Sequence, residues 1–158
     1  MKNYIKSSSL FYFLILVICF SCTSKTGITE KEAIISLRKE YEKSWLENDS
    51  LKIMETLTID AVLIPHHGDI PIVGVKAIKD FWWPAKFSPS KVTIFESTYN
   101  DVGYENKLGF ISGRFKLGFN YEGKKYYDEG NYLNIVEKRN GKWKLSRLIW
   151  NDPLPEIN

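Results

Sequence analysis

Cysteine is nearly absent from this chain, which restricts its chemistry. Two of the 158 residues are cysteines, Cys19 and Cys22, and both lie near the amino terminus. The remainder of the chain has no thiol and can therefore form no disulfide framework, thiolate nucleophile or cysteine metal site. Histidine is equally scarce, since His66 and His67 are the only two, and adjacent residues on one turn rarely bind the same metal ion. We predict no metal site and no cofactor, and a fold stabilised by its hydrophobic core.

Acidic residues are missing before Glu30, and this end of the chain has the layout of an export signal. Lys2 and Lys6 are followed by polar residues and then by an unbroken apolar run over residues 10–20. Positive charge followed by apolar residues is the order of a secretory signal peptide. Eleven apolar residues in a helix cover only about half of the hydrocarbon thickness of a bilayer. A cleaved signal over residues 1–21 is therefore the stronger interpretation, and a permanent membrane anchor the weaker one.

The segment that ends the apolar run resembles the lipobox of bacterial lipoproteins. A small residue, Ser21, precedes Cys22, the position that such proteins diacylate. Leucine and a small residue usually occupy the two preceding positions, whereas Cys19 and Phe20 occupy them here. The resemblance implies lipidation of Cys22, a tether over residues 22–28, and a place in the cell envelope on the periplasmic or outer face. Contact with the membrane would then be through the lipid only. Ordinary cleavage and an uncleaved anchor are the alternatives.

Charge does not point to a nucleic-acid partner. The formal net charge is +3, and loss of Lys2 and Lys6 with the signal lowers it by two, to +1. A nucleic-acid surface needs a clear excess of positive charge. Aromatic residues, by contrast, are frequent at 15%, which is typical of a large core and compatible with a ring-lined cavity. We expect one globular domain over residues 29–153, followed by a tail over residues 154–158.

Two helices are expected to open the domain. Thr29 followed by Glu32 is a capping-box pattern, so a helix should start there. A second, shorter helix should follow residues 48–50, with Leu51, Met54 and Leu57 on one face. In the first helix the apolar residues recur at intervals of three and four and share a face. That stripe comprises Ile34, Leu37, Tyr41 and Trp45, and the polar faces carry Arg38, Lys39, Glu42 and Lys43.

A hairpin and a third helix are expected next. Residues 61–65 and 70–73 have the composition of strands and flank a turn that contains both histidines, so they should pair. From residue 75 to residue 83 the pattern is helical, and Pro84 prevents its continuation. The buried side of this helix should be Ile78, Phe81 and Trp82.

Four long strands should complete the chain, over residues 91–99, 107–119, 124–137 and 142–151, with turns at 102–103, 121–123 and 139–141. Short turns between long strands predict an antiparallel meander. The glycines inside the strands suggest bulges that curl the sheet around the first helix. We therefore expect an α+β fold with a hollow under a curved antiparallel or mixed sheet, and a flat, filled interior or parallel pairing would argue against it. The glycines are Gly109, Gly113, Gly118 and Gly130.

Alternation along the strands assigns side chains to two faces. In the second long strand one set should face the interior and the other the solvent or a dimer partner. Asp128 and Glu129 are consecutive in the next strand and should face opposite sides, which does not support catalysis by paired carboxylates. The inward set is Ile111, Phe115, Leu117 and Phe119, and the outward set is Phe110, Ser112, Arg114 and Lys116.

Six short segments of the chain follow a recognisable order. They are Tyr41-Glu42-Lys43-Ser44-Trp45 with Asn48-Asp49; Asp60-Ala61-Val62; Gly74 with Ala77-Ile78 and Phe81-Trp82; Asp128-Glu129-Gly130-Asn131-Tyr132-Leu133; Gly141-Lys142-Trp143-Lys144-Leu145; and Ile149-Trp150-Asn151-Asp152. Together they resemble the SnoaL-like branch, domain of unknown function 4440, of the nuclear transport factor 2-like superfamily. The resemblance implies a cone-shaped, cystatin-like roll. It selects no chemistry, since this superfold includes isomerases, dehydratases, cyclases, hydrolases and proteins that only bind or associate.

The steroid isomerases of that superfamily offer a comparison for a catalytic site. They carry a tyrosine on the first helix as oxyanion donor and an aspartate base just after the first strand. Tyr41 lines up with the tyrosine, but Pro65 occupies the place of the base and cannot accept a proton. His66 or His67 could replace it, because imidazole transfers protons near neutral pH. The alternatives are a core tyrosine and a solvated histidine turn, and the enzyme hypothesis requires His66 and Tyr41 to share a cavity.

Three functional hypotheses follow. The first is an envelope-anchored domain that binds a small, partly hydrophobic molecule. The second is an enzyme of the isomerase, dehydratase or cyclase type, with His66 as base and Tyr41 as donor. The third is a homodimeric association module, and a homodimer is compatible with either of the others. The expected binding residues are Trp45, Trp82, Asp128, Asn131 and Trp150, with Trp83, Arg147 and Asn151 as further candidates.

Overall fold

The computed structural model describes residues 28–86 and 90–152. The proposed signal over residues 1–21, the lipidation site Cys22 and the tail over residues 154–158 lie outside the described residues, so these assignments stay predictions. Of the helices in the described residues, none is both long enough and apolar enough to cross a bilayer.

The domain begins with two capped helices. Helix α1, Glu30–Leu46, starts at the predicted capping box, where the Thr29 hydroxyl accepts from the Glu32 amide and the Glu32 carboxylate accepts from the Thr29 amide. Helix α2, Ser50–Glu55, is capped by Asp49. The predicted stripe of α1 is confirmed, with Ile34, Leu37 and Tyr41 buried and Trp45 half-buried. The predicted face of α2 is wrong, since Ile53 is its buried residue, Leu51 is exposed and Leu57 already belongs to a strand.

The hairpin and the third helix follow. Strand β1, Leu57–Ile64, is longer than predicted and pairs antiparallel with the short β2, Ile72–Val73, after a single 3-10 turn, His66–Gly68. Helix α3, Val75–Trp82, buries Ile78, but Phe81 is 47% exposed, so its predicted burial is wrong. An eight-residue helix on the rim of the sheet has room for one buried row only.

Four long strands form the meander, β3 (Lys91–Glu105), β4 (Leu108–Tyr121), β5 (Lys124–Arg139) and β6 (Lys142–Asn151). All three successive pairs are antiparallel, as predicted. The turn expected at residues 102–103 is wrong, because β3 continues through them and the chain turns at Asn106. Asn106 and Asn140 adopt left-handed φ angles of 53° and 51°, a conformation that asparagine tolerates better than most residues.

One sheet pairing was not predicted. The strand order is β2-β1-β6-β5-β4-β3, and β1 runs parallel to β6, with Leu63 opposite Leu148. The expectation that parallel pairing would exclude this fold is therefore wrong. A parallel pair needs a long connection, and here α3 and the meander provide it. The sheet is mixed, curved and unclosed, and the predicted fold class is confirmed.

Close backbone approaches, and not a bulge at Gly130, accompany the curvature. The register between β4 and β5 is continuous through Gly130, whereas β3 shifts register after Val92 and again after Tyr99. A Cβ on Gly113 would overlap the carbonyl oxygen of Thr98, and one on Gly130 would overlap that of Asn151. Glycine at these two places therefore lets neighbouring strands bend closely past each other.

The concave face of the sheet holds both the core and a hollow. Helix α1 lies across this face and contacts β3, β4 and β6. Ile34 packs in the filled core with Ile111, Val136 and Leu145, all of them completely buried. From Arg38 onward the same helix lines a cavity. The interior is thus filled beside the first half of α1 and open beside the second.

Candidate functional site

The hollow is a cavity of about 340 Å³ between α1 and the concave face of the sheet. Its walls are mostly aromatic and aliphatic, from α1, α3 and every strand except the short β2. The inward set predicted for β4 supplies part of the wall, since Phe115, Leu117 and Phe119 line the cavity. Leu63 of β1 and Leu148 of β6 close the opposite side. A concave, largely apolar pocket with few polar groups is the usual form of a small-molecule site.

Indole rings form one wall. Trp45 and Trp82 both line the cavity and meet edge to face, with ring centroids 5.1 Å apart. Trp83 stacks on Trp45 at 5.0 Å and an interplanar angle of 17°. The position of Trp45 is therefore fixed by two rings of the α3 segment, which makes this wall rigid.

Tyr41 lies at the deep end of the cavity, beside Trp45. It is 5% exposed, and burial raises the pKa of its hydroxyl to about 12, although the nearby Arg38 charge and the Trp45 indole oppose the rise. The phenol is therefore neutral at physiological pH. Trp45 Nε1 lies near the Tyr41 hydroxyl, but the geometry falls short of a hydrogen bond, and this buried nitrogen has no hydrogen-bond partner among the described residues.

Arg38 is a buried charge that was wrongly placed on a polar face of α1. Its side chain is 5% exposed and lines the cavity. Nε donates to Glu42 Oε1 at 2.8 Å, and the terminal nitrogens donate to Asn134 Oδ1 at 3.1 Å and Ser97 Oγ at 2.7 Å. The guanidinium also lies 4.0 Å from the centroid of the Tyr132 ring. Its charge is thus neutralised by Glu42, and each of its three nitrogens donates one hydrogen bond within the protein.

The spacing of α1 contained the signal for Arg38. Residues 34, 38, 41 and 45 recur at four, three and four positions, which is one helical face. Arg38 was assigned to a polar face because arginine is charged, although its spacing places it on the apolar face. Asn134 was missed for the same reason, since alternation from Asp128 through Tyr132 places it on the inner face of β5.

His66 and Asp152 meet at another wall of the cavity. His66 Nδ1 lies 2.7 Å from Asp152 Oδ1, and the His66 ring packs against Trp150 with centroids 5.5 Å apart. The two residues follow β1 and β6, whose parallel pairing brings their carboxyl ends together. An ionised Asp152 can only accept, which places the imidazole proton on Nδ1. Asp152 was not among the predicted site residues because its position depends on that parallel pair.

Most of the predicted site residues line the cavity, and some do not. Tyr41, Trp45, His66, Trp82, Asp128 and Trp150 all line it. Glu129 faces outward, 3.7 Å from the Arg114 guanidinium, so the opposite orientation of Asp128 and Glu129 is as expected. Asn131 is not brought to the cavity, because its exposed amide donates to Asn151. Arg147 also lies outside the lining and donates to the Ser146 carbonyl.

His66 and Tyr41 share one cavity, so the geometric condition of the enzyme hypothesis is met. Asp128 is the acidic residue of the cavity lining. Within residues 28–86 and 90–152, no three histidine, cysteine, aspartate or glutamate residues are grouped so that they could hold a metal ion.

Comparisons with known proteins show the fold of the chain, but they find neither a matching family model nor a matching curated protein. A ketosteroid isomerase-like protein from Erwinia carotovora atroseptica superposes with a TM-score of 0.67 at 17% identity, over 80% of this chain and 98% of that one. An NTF2-like protein from Cytophaga hutchinsonii gives 0.67 at 13%, over 79% and 99%.

A third structure is named a putative calcium/calmodulin-dependent protein kinase II association domain. It comes from Xanthomonas campestris and superposes with a TM-score of 0.64 at 18% identity, over 82% of this chain and 91% of that one. At such low identities the similarity concerns architecture and not activity. The chain thus has the fold of the nuclear transport factor 2-like and ketosteroid isomerase-like proteins.

Proposed function

We propose that this protein binds a small, partly hydrophobic molecule in the cavity between α1 and the sheet. The observation that carries the proposal is the cavity itself, about 340 Å³ with walls of rings and aliphatic side chains. Such a volume lies at the lower end of the range for small-molecule sites. Because Arg38 is neutralised by Glu42, the apolar walls favour an uncharged or weakly polar guest.

Native mass spectrometry of the full chain, purified without detergent, tests this proposal, because a retained small molecule adds its own mass to that of the protein. A matched pair of variants locates the site. Leu117→Trp adds bulk at the cavity wall and should abolish retention, whereas Leu133→Trp adds the same bulk on the outer face and should leave it unchanged. Equal retention in both variants would place the ligand elsewhere.

A second candidate function is proton transfer, in an isomerase, dehydratase or cyclase. The specific observation in its favour is the His66 contact with Asp152 on the wall of the cavity that Tyr41 also lines. An aspartate on Nδ1 orients the imidazole and stabilises its protonated form. In this mechanism His66 would remove a proton from carbon, and Tyr41 would donate to the oxygen that becomes negative.

Hydrogen exchange at carbon tests proton transfer without knowledge of the substrate. 2-Acetylnaphthalene in D2O would lose a methyl proton to His66 and receive a deuteron in return, which NMR detects. We expect His66→Gln to slow the exchange by at least about a hundredfold, and Asp152→Asn to slow it as well. Glu129→Gln, on the outer face, should have no effect. If exchange is no faster than in buffer, the proton-transfer function is ruled out for ketone substrates.

We also infer association of two copies through the outer face of the sheet. Phe110 and Ile135 are direct neighbours on β4 and β5, and Leu133 lies on the same face at 38% exposed. Contiguous apolar residues on an outer face are typical of an interface. The name of the Xanthomonas structure, an association domain, is in keeping with this inference.

Export and lipidation remain part of the proposal, as does membership of the SnoaL-like branch. The support is the order of charge, apolar run and Ser21-Cys22 in the sequence. Intact mass of the membrane fraction tests lipidation. Cys22→Ser should lose the lipid and accumulate as precursor, while Cys19→Ser should be processed normally. Normal processing of the Cys22 variant would show that the protein is not a lipoprotein.

A further inference from the structure

The deep end of the cavity has two hydrogen-bond donors, the Trp45 indole N–H and the Tyr41 hydroxyl. Only one acceptor, the Tyr41 oxygen, is available to the pair. Trp45 Nε1 has no partner among the described residues. The Trp45 and Tyr41 rings meet edge to face with centroids 6.2 Å apart, and this proximity lowers the pKa of the Tyr41 phenol. An indole nitrogen can only donate, so the Tyr41 oxygen is the acceptor available to it. The proton of the Tyr41 hydroxyl must then be directed elsewhere.

The other polar groups of this end have partners within the protein. Each nitrogen of Arg38 donates one hydrogen bond within the protein, to Glu42, Asn134 or Ser97. The Tyr132 hydroxyl, which belongs to another ring of the same wall, donates to the Thr98 carbonyl at 3.2 Å. Buried donors are rarely left unpaired, because the desolvation of an unpaired group is costly. The Tyr41 and Trp45 pair is therefore where a polar group of a guest would be received.

We propose that Trp45 is a positioning residue for the ligand, acting through Tyr41. A small shift would let Trp45 Nε1 donate to the Tyr41 oxygen, which directs the Tyr41 proton into the cavity and strengthens it as a donor, since hydrogen bonds in a chain polarise one another. Tyr41 then donates to an uncharged acceptor oxygen of the ligand, such as a carbonyl. The inference rests on the proposed binding function and adds the chemical class of the group that is bound.

Two probes of nearly equal shape isolate this interaction. 2-Acetylnaphthalene carries a carbonyl and 2-ethylnaphthalene does not. The quantity of interest is the ratio of their Kd values in each variant of the full chain, because the difference in hydration between the probes is the same for all variants and cancels. The infrared frequency of the bound carbonyl is a second readout, since a donated hydrogen bond lowers it.

The variants separate the hydroxyl, the indole N–H and the shape of the rings. Tyr41→Phe removes the hydroxyl, and replacement of Trp45 by 3-benzothienylalanine replaces N–H with sulfur while it keeps the fused rings and their stacking on Trp83. Tyr132→Phe is the matched control, because it removes a hydroxyl of the same cavity that is already paired within the protein. Trp45→Phe is avoided as the main variant because it would also change the packing of the indole wall.

We expect Tyr41→Phe to reduce the preference for the ketone by up to about tenfold, and the Trp45 replacement by about threefold. The carbonyl frequency should rise in both and stay at the wild-type value in Tyr132→Phe. If the Trp45 replacement weakens both probes equally and leaves the frequency unchanged, Trp45 is only a wall and the inference is wrong, although binding stands. If neither probe binds to the wild type, the proposed binding function fails for such compounds and this inference fails with it.

Discussion

At the scale of single residues, the polar groups at the deep end of the cavity are the unusual feature of this protein. Arg38 and Tyr41 are buried together on α1, one with its charge neutralised and the other with its hydroxyl kept neutral. The folding stability is therefore expected to depend on two side chains that also line the cavity. Two predictions follow from their burial.

Removal of Arg38 should be strongly destabilising. Arg38→Ala would leave Glu42 without its partner and Asn134 without its donor in a buried place, and breaking a buried pair costs about 3–5 kcal/mol. Urea unfolding measures the loss. Lys39→Ala, at the exposed neighbouring position, is the control and should change the free energy of unfolding by less than about 0.5 kcal/mol. A small effect at Arg38 would mean that Glu42 and Asn134 find water or new partners.

Tyr41 should make stability fall in alkaline solution. Its folded pKa of about 12 lies above the ordinary tyrosine pKa of 10.0, so the unfolded state loses this proton first as the pH rises. The contribution is therefore complete below pH 10 and is lost progressively toward pH 12, with about 1.3 kcal/mol lost between pH 9 and pH 11. Urea unfolding at several pH values should show a shallower decline in Tyr41→Phe than in the wild type. Equal declines would indicate that other tyrosines account for it.

At the scale of elements, the sequence allowed the helices and the antiparallel meander to be predicted, because periodicity and turn residues are local signals. The parallel pair of β1 and β6 was not predictable in this way, since nothing near either strand specifies a partner so far away in sequence. The turn misplaced at residues 102–103 has a similar origin, because Gly103 lies within β3 under the ring of Phe110, and that packing is tertiary. Asp152 was missed as a site residue as a consequence of the parallel pair.

The bend of β4 past β3 should be sensitive to the smallest side chain. In Gly113→Ala the new Cβ would overlap the Thr98 carbonyl oxygen, which is backbone and cannot move independently. We expect a loss of about 1–3 kcal/mol in thermal or urea unfolding. Gly118→Ala is the matched control on the same strand, because its Cβ would meet only the Ile94 side chain, at 3.2 Å. Equal tolerance of both would mean that the strands can separate at Gly113.

At the scale of the whole molecule, the sheet has two faces with different proposed roles. The concave face surrounds α1 and the cavity, and the outer face carries the apolar residues of β4 and β5. Binding and association would therefore use separate surfaces. A ligand could be bound by a monomer or by either copy of a dimer.

Light scattering of the full chain should detect a dimer that depends on the outer face. Leu133→Lys places a charge among the apolar residues of that face and should shift the mass toward the monomer. Leu51→Lys, at another exposed leucine, on α2, should leave the mass unchanged. A monomeric wild type, or a dimer insensitive to Leu133→Lys, would contradict association through this face.

The parallel pairing of β1 with β6 also affects the order in which the protein folds. It joins an early strand to the final one, and the contact of His66 with Asp152 spans 86 positions of the chain. Contacts so distant in sequence form late and slow folding, because the entropy of closing a long loop is lost before the contacts stabilise the structure. The wall that holds His66 is therefore completed only when β6 and Asp152 are in place, so we expect the cavity to form late in folding.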